Sequence, residues 1–268
     1  GARDSGWIQL YSENCQEVYD NLIQAIRIAE SEEVLLPAMV TLDGFIISHA
    51  MERVEILEDE KVRRFIGEYR NPHSLLDIDN PVTYGPLDLY DYYFEHKRQQ
   101  IEAMEKGGKV IEKVGKEFGK ISGRSYDLME RYQLEGVDLV IVVAGSTAGT
   151  VKTVVNQLRE KGVKAGLLKI RAFRPFPTEE IIRVLKNAEA VAVLDRSVSF
   201  GAQGGPLFLE IRSALFEEEK RPPVVNYIYG LGGRDIGIEE IETVYKNLER
   251  IADSKKTEKL VGYLGLRE

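Results

Sequence analysis

Leu194-Asp195-Arg196-Ser197-Val198-Ser199-Phe200-Gly201-Ala202-Gln203-Gly204-Gly205-Pro206-Leu207 separates two kinds of periodicity. Before it stands Glu189-Ala190-Val191-Ala192-Val193, a short apolar run that reads as a buried strand. After it, Pro206 occupies the first position of a helix, and Leu207, Ile211, Ala214 and Leu215 recur at helical spacing. The loop therefore joins the carboxyl end of a strand to the amino end of a helix and carries an acid, a base and several small residues. In open α/β sheets that edge is where ligands are met.

The same alternation extends on both sides. Strands are predicted over 138–144, 163–170, 190–194 and 224–229, followed by helices over 150–161, 178–187, 206–216 and 238–251. Asp138-Leu139-Val140-Ile141-Val142-Val143 is apolar without alternation, as a strand covered on both faces must be. The pattern implies an α/β fold: a doubly wound parallel sheet with right-handed crossovers over 136–268.

The first part is less regular. Ile8-Gln9-Leu10-Tyr11 and Val34 to Val40 are strand candidates, with Pro37 pushing the second towards an edge. Asn14 with Glu17 three residues on reads as a helix cap, and Val18, Leu22, Ile26 and Ala29 line one face of the helix that follows. A second helix is expected from Asp59 to Tyr69. The segment 71–86, with Pro72, Pro81 and Pro86, reads as loop, and 87–118 as a charged linking helix broken at Gly107-Gly108. Two strands in residues 1–90 offer few neighbours, so Ile8, Leu10, Val34 and Leu36 are expected to be incompletely covered within this chain.

Composition narrows the function. With 36 basic and 44 acidic side chains in 268 residues the formal charge is −8, and no basic block is interleaved with aromatics, which argues against nucleic acid as a partner. No apolar run reaches membrane-spanning length, and residues 1–6 carry no secretory signature, so no membrane partner and a cytoplasmic location are expected. One cysteine, Cys15, allows no internal disulfide and cannot supply the thiolates of an iron–sulfur cubane.

The loops at the strand ends would gather Arg171, Arg174, Arg196 and Arg234 near Asp195 and Asp235, beside helix amino termini that favour anions. Two readings follow: an anion or phosphate site, or an arginine–aspartate network that braces loops or meets a partner. Gly145-Ser146-Thr147-Ala148-Gly149 fits neither the dinucleotide nor the phosphate-loop pattern, and close packing accounts for its glycines. Gly232-Gly233 is read as permitting positive backbone angles. His49 with Glu52, after Asp43-Gly44-Phe45, lacks the zincin spacing and a third ligand, and reads as structural. His73 and His96 are expected in solvent. No serine occupies a nucleophile elbow, and Cys15 has no basic neighbour.

Several stretches taken together resemble one family. Ala2-Arg3-Asp4-Ser5-Gly6-Trp7, Gln16-Glu17-Val18, Asp43-Gly44-Phe45 with Ser48-His49, Gly123-Arg124-Ser125-Tyr126, Arg174-Pro175-Phe176, Val193-Leu194-Asp195-Arg196 and Tyr229-Gly230-Leu231-Gly232 are similar, in order, to alpha subunits of pyruvate:ferredoxin oxidoreductases. The resemblance implies that residues 1–90 are the later part of a thiamine-enzyme pyrimidine-binding domain, 91–135 a helical linker, and 136–268 a transketolase C-terminal-like domain. It implies that the family's glutamate acting on the aminopyrimidine, and its threonine and arginine facing pyruvate, precede Gly1. The Gly-Asp-Gly motif that holds the diphosphate with magnesium in such enzymes does not occur in this sequence.

The expectation is therefore a subunit of a 2-oxoacid:ferredoxin oxidoreductase, inert alone, with companion subunits as partners and ferredoxin and coenzyme A as reactants of the whole. Thiamine diphosphate, magnesium and [4Fe-4S] clusters belong to the complete complex and none is expected on this chain alone; a branched-chain 2-oxoacid or 2-oxoglutarate are alternative substrates. Asp43, His49, Arg171, Arg174, Asp195, Arg196, Gly232 and Arg234 are the interface or loop-edge candidates, with no catalytic residue or metal ligand expected. A stand-alone anion- or nucleotide-binding module is the competing reading.

Overall fold

Apolar β-branched runs bounded by glycine build the larger of two sheets in the computed structural model, which describes residues 1–267. Strands β3 (Met129–Tyr132), β4 (Leu139–Ala144), β5 (Ala165–Ile170), β7 (Ala190–Asp195), β8 (Val224–Ile228) and β9 (Val261–Tyr263) lie in the order β3-β5-β4-β7-β8-β9. All neighbours are parallel except β3, which pairs antiparallel with β5. Helices α5 (Thr147–Glu160) and α8 (Ile238–Ser254) cover one face. α6 (Thr178–Leu185) and α7 (Pro206–Leu215) cover the other. The doubly wound sheet expected from the sequence is present; β3 and β9 escaped notice because each is too short to carry a period.

A second sheet is made of β2 (Ala38–Thr41), β1 (Ile8–Tyr11) and β6 (Ala172–Arg174), in that order. Pro37 indeed precedes an edge strand. β5 and β6 are separated by Arg171 alone, so the chain passes from one sheet to the other in a single residue. Its backbone is held on both sides there, donating to Leu128 O at 3.1 Å and accepting from Tyr11 N at 2.7 Å.

Ile8, Leu10, Val34 and Leu36 are buried by this chain itself, which corrects the expectation of incomplete cover. β6 supplies the missing sheet neighbour, and Val110, Ile111, Val114 and Phe118 supply the missing layer. These last belong to α4 (Leu89–Ser122), which runs through Gly107-Gly108 without the expected break. Both glycines pass Pro175, where an added Cβ would find only ordinary contact.

Gly115 is different. A Cβ there would lie 2.0 Å from Tyr126 O, because the chain returning from Gly123 crosses directly over the helix. Gly115→Ala should therefore destabilise the chain by about 2–3 kcal/mol, the usual cost of overpacking. Gly108→Ala, on the same helix with room to spare, should stabilise it by about 0.5–1 kcal/mol through helix propensity. Urea unfolding of the two variants checks the opposite signs.

Helix α1 (Cys15–Ala29) begins as expected, with Asn14 Oδ1 accepting from Glu17 N at 2.9 Å. Its orientation corrects the sequence reading: Leu22 and Ile26 face outward, while Glu17, Asp20, Asn21 and Gln24 are buried. These polar residues are buried beside Ile23, Ala25 and Ile28, because Lys169 of β5 and Arg171 just after it lie beneath the helix. α2 (Ile46–His49) is a single turn, and α3 (Asp59–Ile66) stops short of Tyr69, which is exposed. Residues 67–88 form no regular element.

Candidate functional site

Asp195 ends β7, and its carboxylate turns back onto the helix that the following loop introduces. Oδ1 accepts from Leu207 N at 2.8 Å and Oδ2 from Phe208 N at 3.0 Å, the first free amides of α7. Asn226 Nδ2 donates to Oδ2 at 2.9 Å and to Val193 O at 2.9 Å, while Asn226 Oδ1 accepts from Gly205 N at 2.8 Å. Gly205 has no alternative: a Cβ there would sit 2.2 Å from Asp195 Cγ. The helix N-terminus that could have held a phosphate is filled by the chain's own carboxylate.

Asp43, from the other half of the chain, binds the residue that precedes α5. Its Oδ2 accepts from Ser146 N at 2.6 Å, and Gly145, at φ +81°, is shaped around it. Arg196 Nη1 lies 3.4 Å from Asp43 Oδ1, with its guanidinium over the Tyr229 ring at 5.9 Å. A cleft of about 710 Å³ opens beside this group, lined by Tyr11, Thr41, Asp43, Asp195, Arg196 and Ser199.

The other arginines do not join it, which corrects the expected cluster. Arg171 is fully buried and points under α1, donating from Nε to Asn21 Oδ1 at 2.8 Å, from Nη2 to Gln24 Oε1 at 3.1 Å and from Nη1 to Asp127 O at 3.1 Å. Burial lowers its pKa to about 10. Arg174 pairs with Glu210 at 2.6 Å and Asp4 at 3.2 Å and lies over Phe173. Arg234 donates to Gly265 O at 2.5 Å, and Asp235 accepts from Ile236 N. Gly232 is exposed at φ +68°, with nothing near a notional Cβ. Among the described residues no arginine pairs with Asp195: its donors are amides, so the charges meant to converge are spent on different neighbours.

His49 stacks on Phe45 and its Nδ1 meets Ser48 Oγ at 2.8 Å, whereas Glu52 accepts from Cys15 N at 2.8 Å; the two are not a pair. His73 is exposed, and His96 stands 3.6 Å from Asp88.

Sequence reasoning missed the densest charge cluster. Glu13, Glu17 and Glu130 bring carboxylate oxygens within 4.8 Å of one another, a possible cation site by composition. Lys169 Nζ already fills it, at 2.7, 2.6 and 2.7 Å from the three, and Lys152 Nζ adds contacts to Glu13 at 2.7 Å and Glu130 at 2.9 Å. The signal was a lysine inside the apolar run Leu167-Leu168-Lys169-Ile170.

Asp195 yields a pH prediction. Burial raises its pKa to about 6 from an ordinary 3.8, against the lowering by its three donors. The folded chain then binds more protons than the unfolded chain between those values, so stability falls as pH rises through that window. The wild type should lose about 2–3 kcal/mol relative to Asp195→Asn between pH 4 and pH 7. Urea midpoints of both proteins across that range test it, and parallel profiles would contradict it.

Residues 1–116 match the profile of the family described as pyruvate flavodoxin/ferredoxin oxidoreductase, thiamine diphosphate-binding. Residues 137–241 match pyruvate:ferredoxin oxidoreductase core domain II. The pyruvate synthase subunit PorA of Thermotoga maritima is 53% identical over 99% of this chain and 67% of its own length. This chain belongs to the pyruvate:ferredoxin oxidoreductase family. The PorA subunit of Methanocaldococcus jannaschii is 47% identical, and the ketoisovalerate oxidoreductase subunit VorA of Pyrococcus abyssi 40%, each over 99% of this chain and 67% of the relative. In fold the chain matches a 2-oxoglutarate:ferredoxin oxidoreductase from Magnetococcus marinus solved with 2-oxoglutarate, coenzyme A and succinyl-CoA bound, with TM-score 0.56 and 18% identity over 90% of this chain and 42% of that one.

As a member of the family the chain is a subunit of a 2-oxoacid:ferredoxin oxidoreductase, a thiamine diphosphate enzyme. It spans about two thirds of the PorA relatives. Its own residues do not fit the metal groups such an assembly would carry. One cysteine cannot ligate a cubane cluster, and the one acidic trio among the described residues is closed around Lys169. Among the described residues no helix is long and apolar enough to cross a membrane.

Proposed function

We propose that this chain serves the oxidative decarboxylation of pyruvate to acetyl-coenzyme A and carbon dioxide, with two electrons passed to ferredoxin, and that it does so as scaffold and interface. In this reading thiamine diphosphate, magnesium and the iron–sulfur clusters are gripped by companion chains. Residues 1–90 act as the later part of a pyrimidine-binding-type domain, 91–135 as the link and 136–268 as the transketolase C-terminal-like domain. The observation that carries the substrate is the 53% identity, over nearly the whole chain, to a pyruvate synthase subunit. The scaffold role is supported by the strand edge, where Asp195 fills the N-terminus of α7 and Asp43 takes the Ser146 amide ahead of α5. A cytoplasmic location accords with the single unpaired Cys15.

The substrate is tested on the complex assembled with its companion subunits, by following ferredoxin reduction with coenzyme A and each of pyruvate, 2-ketoisovalerate and 2-oxoglutarate. Pyruvate should give the highest kcat/KM by at least about tenfold, the step expected of a pocket one or two methylenes larger or smaller. Preference for either other acid would overturn the pyruvate assignment while leaving the family intact.

A further inference from the structure

The second half of α4 is core, while Leu89, Tyr90, Tyr93 and Phe94 of its first half are exposed. Tyr93 stands about five turns before Ile111, and Leu89 about five turns before Gly107, at roughly 3.6 residues per turn, so all four share one face. Ile111 is fully buried; Leu89 and Tyr93 are exposed, as are Tyr90, Phe94 and Ile101 beside them. Tyr90 is 91% and Phe94 75% exposed. Leu76 and Ile78 of the preceding segment are equally uncovered, at 89% and 87%. A groove of about 510 Å³ runs between Tyr93 and Ile101 on one side and residues 3–6 on the other. The core-facing stripe of a 34-residue helix thus continues beyond the body that buries it. Contiguous apolar surface of this kind marks an interaction site, and tyrosine and phenylalanine are the residue types that dominate such contacts.

Charge selects the occupant. Within residues 75–101, Asp77, Asp79, Asp88, Asp91 and Glu95 stand against Lys97 and Arg98, and Lys97 is engaged with Tyr93 and Gln100. A second copy of this chain, itself at net charge −8, would set the same acidic patch against its image. We propose that residues 75–101 form a docking arm, and that the apolar stripe of α4 seats in a groove rimmed by lysine and arginine on a companion subunit of the same enzyme. This rests on the multi-subunit reading above. The mode is that of an amphipathic helix laid into an apolar groove.

The test uses the full chain co-expressed with its companion subunits, with subunit composition read by native mass spectrometry and affinity by titration. The double variant Tyr90→Glu, Phe94→Glu should weaken association with the companion by at least tenfold without shifting the chain's own thermal midpoint. Phe216→Glu, at an exposed aromatic just past α7, should leave association unchanged. In the unsubstituted complex, amide exchange over 87–101 should slow relative to the chain alone. Unaltered affinity of the double variant, unchanged exchange, or loss only of contacts between copies of this chain would each overturn the proposal. If the unsubstituted complex assembles but does not oxidise pyruvate, the functional reading fails and the docking result still stands.

Discussion

Lys169→Met should lower the stability of the chain by about 4 kcal/mol at pH 7 and by much less near pH 4.5. Breaking a buried ion pair by removing one partner costs about 3–5 kcal/mol, because the remaining charge is left without compensation. Here three are left: the Lys169 side chain is 4% exposed and touches Glu13, Glu17 and Glu130 at 2.6–2.7 Å. Without it, Lys152 alone faces carboxylates that lie within 4.8 Å of one another. Burial works against the ammonium, yet the three carboxylates hold its pKa above the ordinary value. Burial likewise works to raise Glu130, but Lys169 and Lys152 keep it low. In the variant Glu130 loses the ammonium that did most to keep its pKa low, so burial pushes it up and the stability deficit grows as pH rises. Urea unfolding at pH 7 and pH 4.5 separates this from a packing defect, which would cost the same at both.

A loss of about 3–5 kcal/mol is also expected for Asp20→Ala. Asp20 is fully buried on α1 and accepts from Arg124 Nε at 2.7 Å and Nη2 at 3.0 Å, from Tyr126 OH at 2.6 Å and from Gln16 Nε2 at 3.1 Å. Truncation leaves the Tyr126 phenol without its acceptor, leaves Arg124 on its longer contacts to Glu55 and Ser122 at 3.3–3.4 Å, and frees the segment that crosses Gly115. Combining it with Arg124→Met should show coupling of about 1–3 kcal/mol, since both residues belong to one network. Additive losses in the unfolding midpoints would show that Asp20 acts through something other than Arg124.

These two clusters mark what could not be read along the chain. The large sheet was legible because β4 and β7 are apolar runs whose burial on both faces dictates their composition. The Asp195 loop was legible for the same reason: a strand, small residues and Pro206 at a helix start leave little choice. α1 misled because Val18, Leu22, Ile26 and Ala29 satisfy the amphipathic pattern, whereas the helix packs through Glu17, Asp20, Asn21 and Gln24 together with Ile23, Ala25 and Ile28. Periodicity reports which face is apolar, and the partner layer decides which face is inside. Lys169 and Arg171 are the partner layer, and they sit 152 and 150 residues away from Glu17 and Asn21.

The candidate site divides along the same line. Asp195 and Arg196 reach the strand edge as expected, because their backbone positions place them there, while Asp43 comes to it unforeseen from the other half of the chain. Arg171 and Arg174 do not, because a long side chain goes where acceptors are: under α1 for one, to Glu210 for the other. His49 and Glu52 were close in sequence and met different partners.

The most direct measurement of the chain's role is ferredoxin reduction, with pyruvate, coenzyme A and thiamine diphosphate supplied, by the purified chain alone and after assembly with its companion subunits. No turnover alone and turnover on assembly is the predicted result. Turnover by the lone chain, or an assembled complex whose rate is the same when this chain is left out, would contradict it.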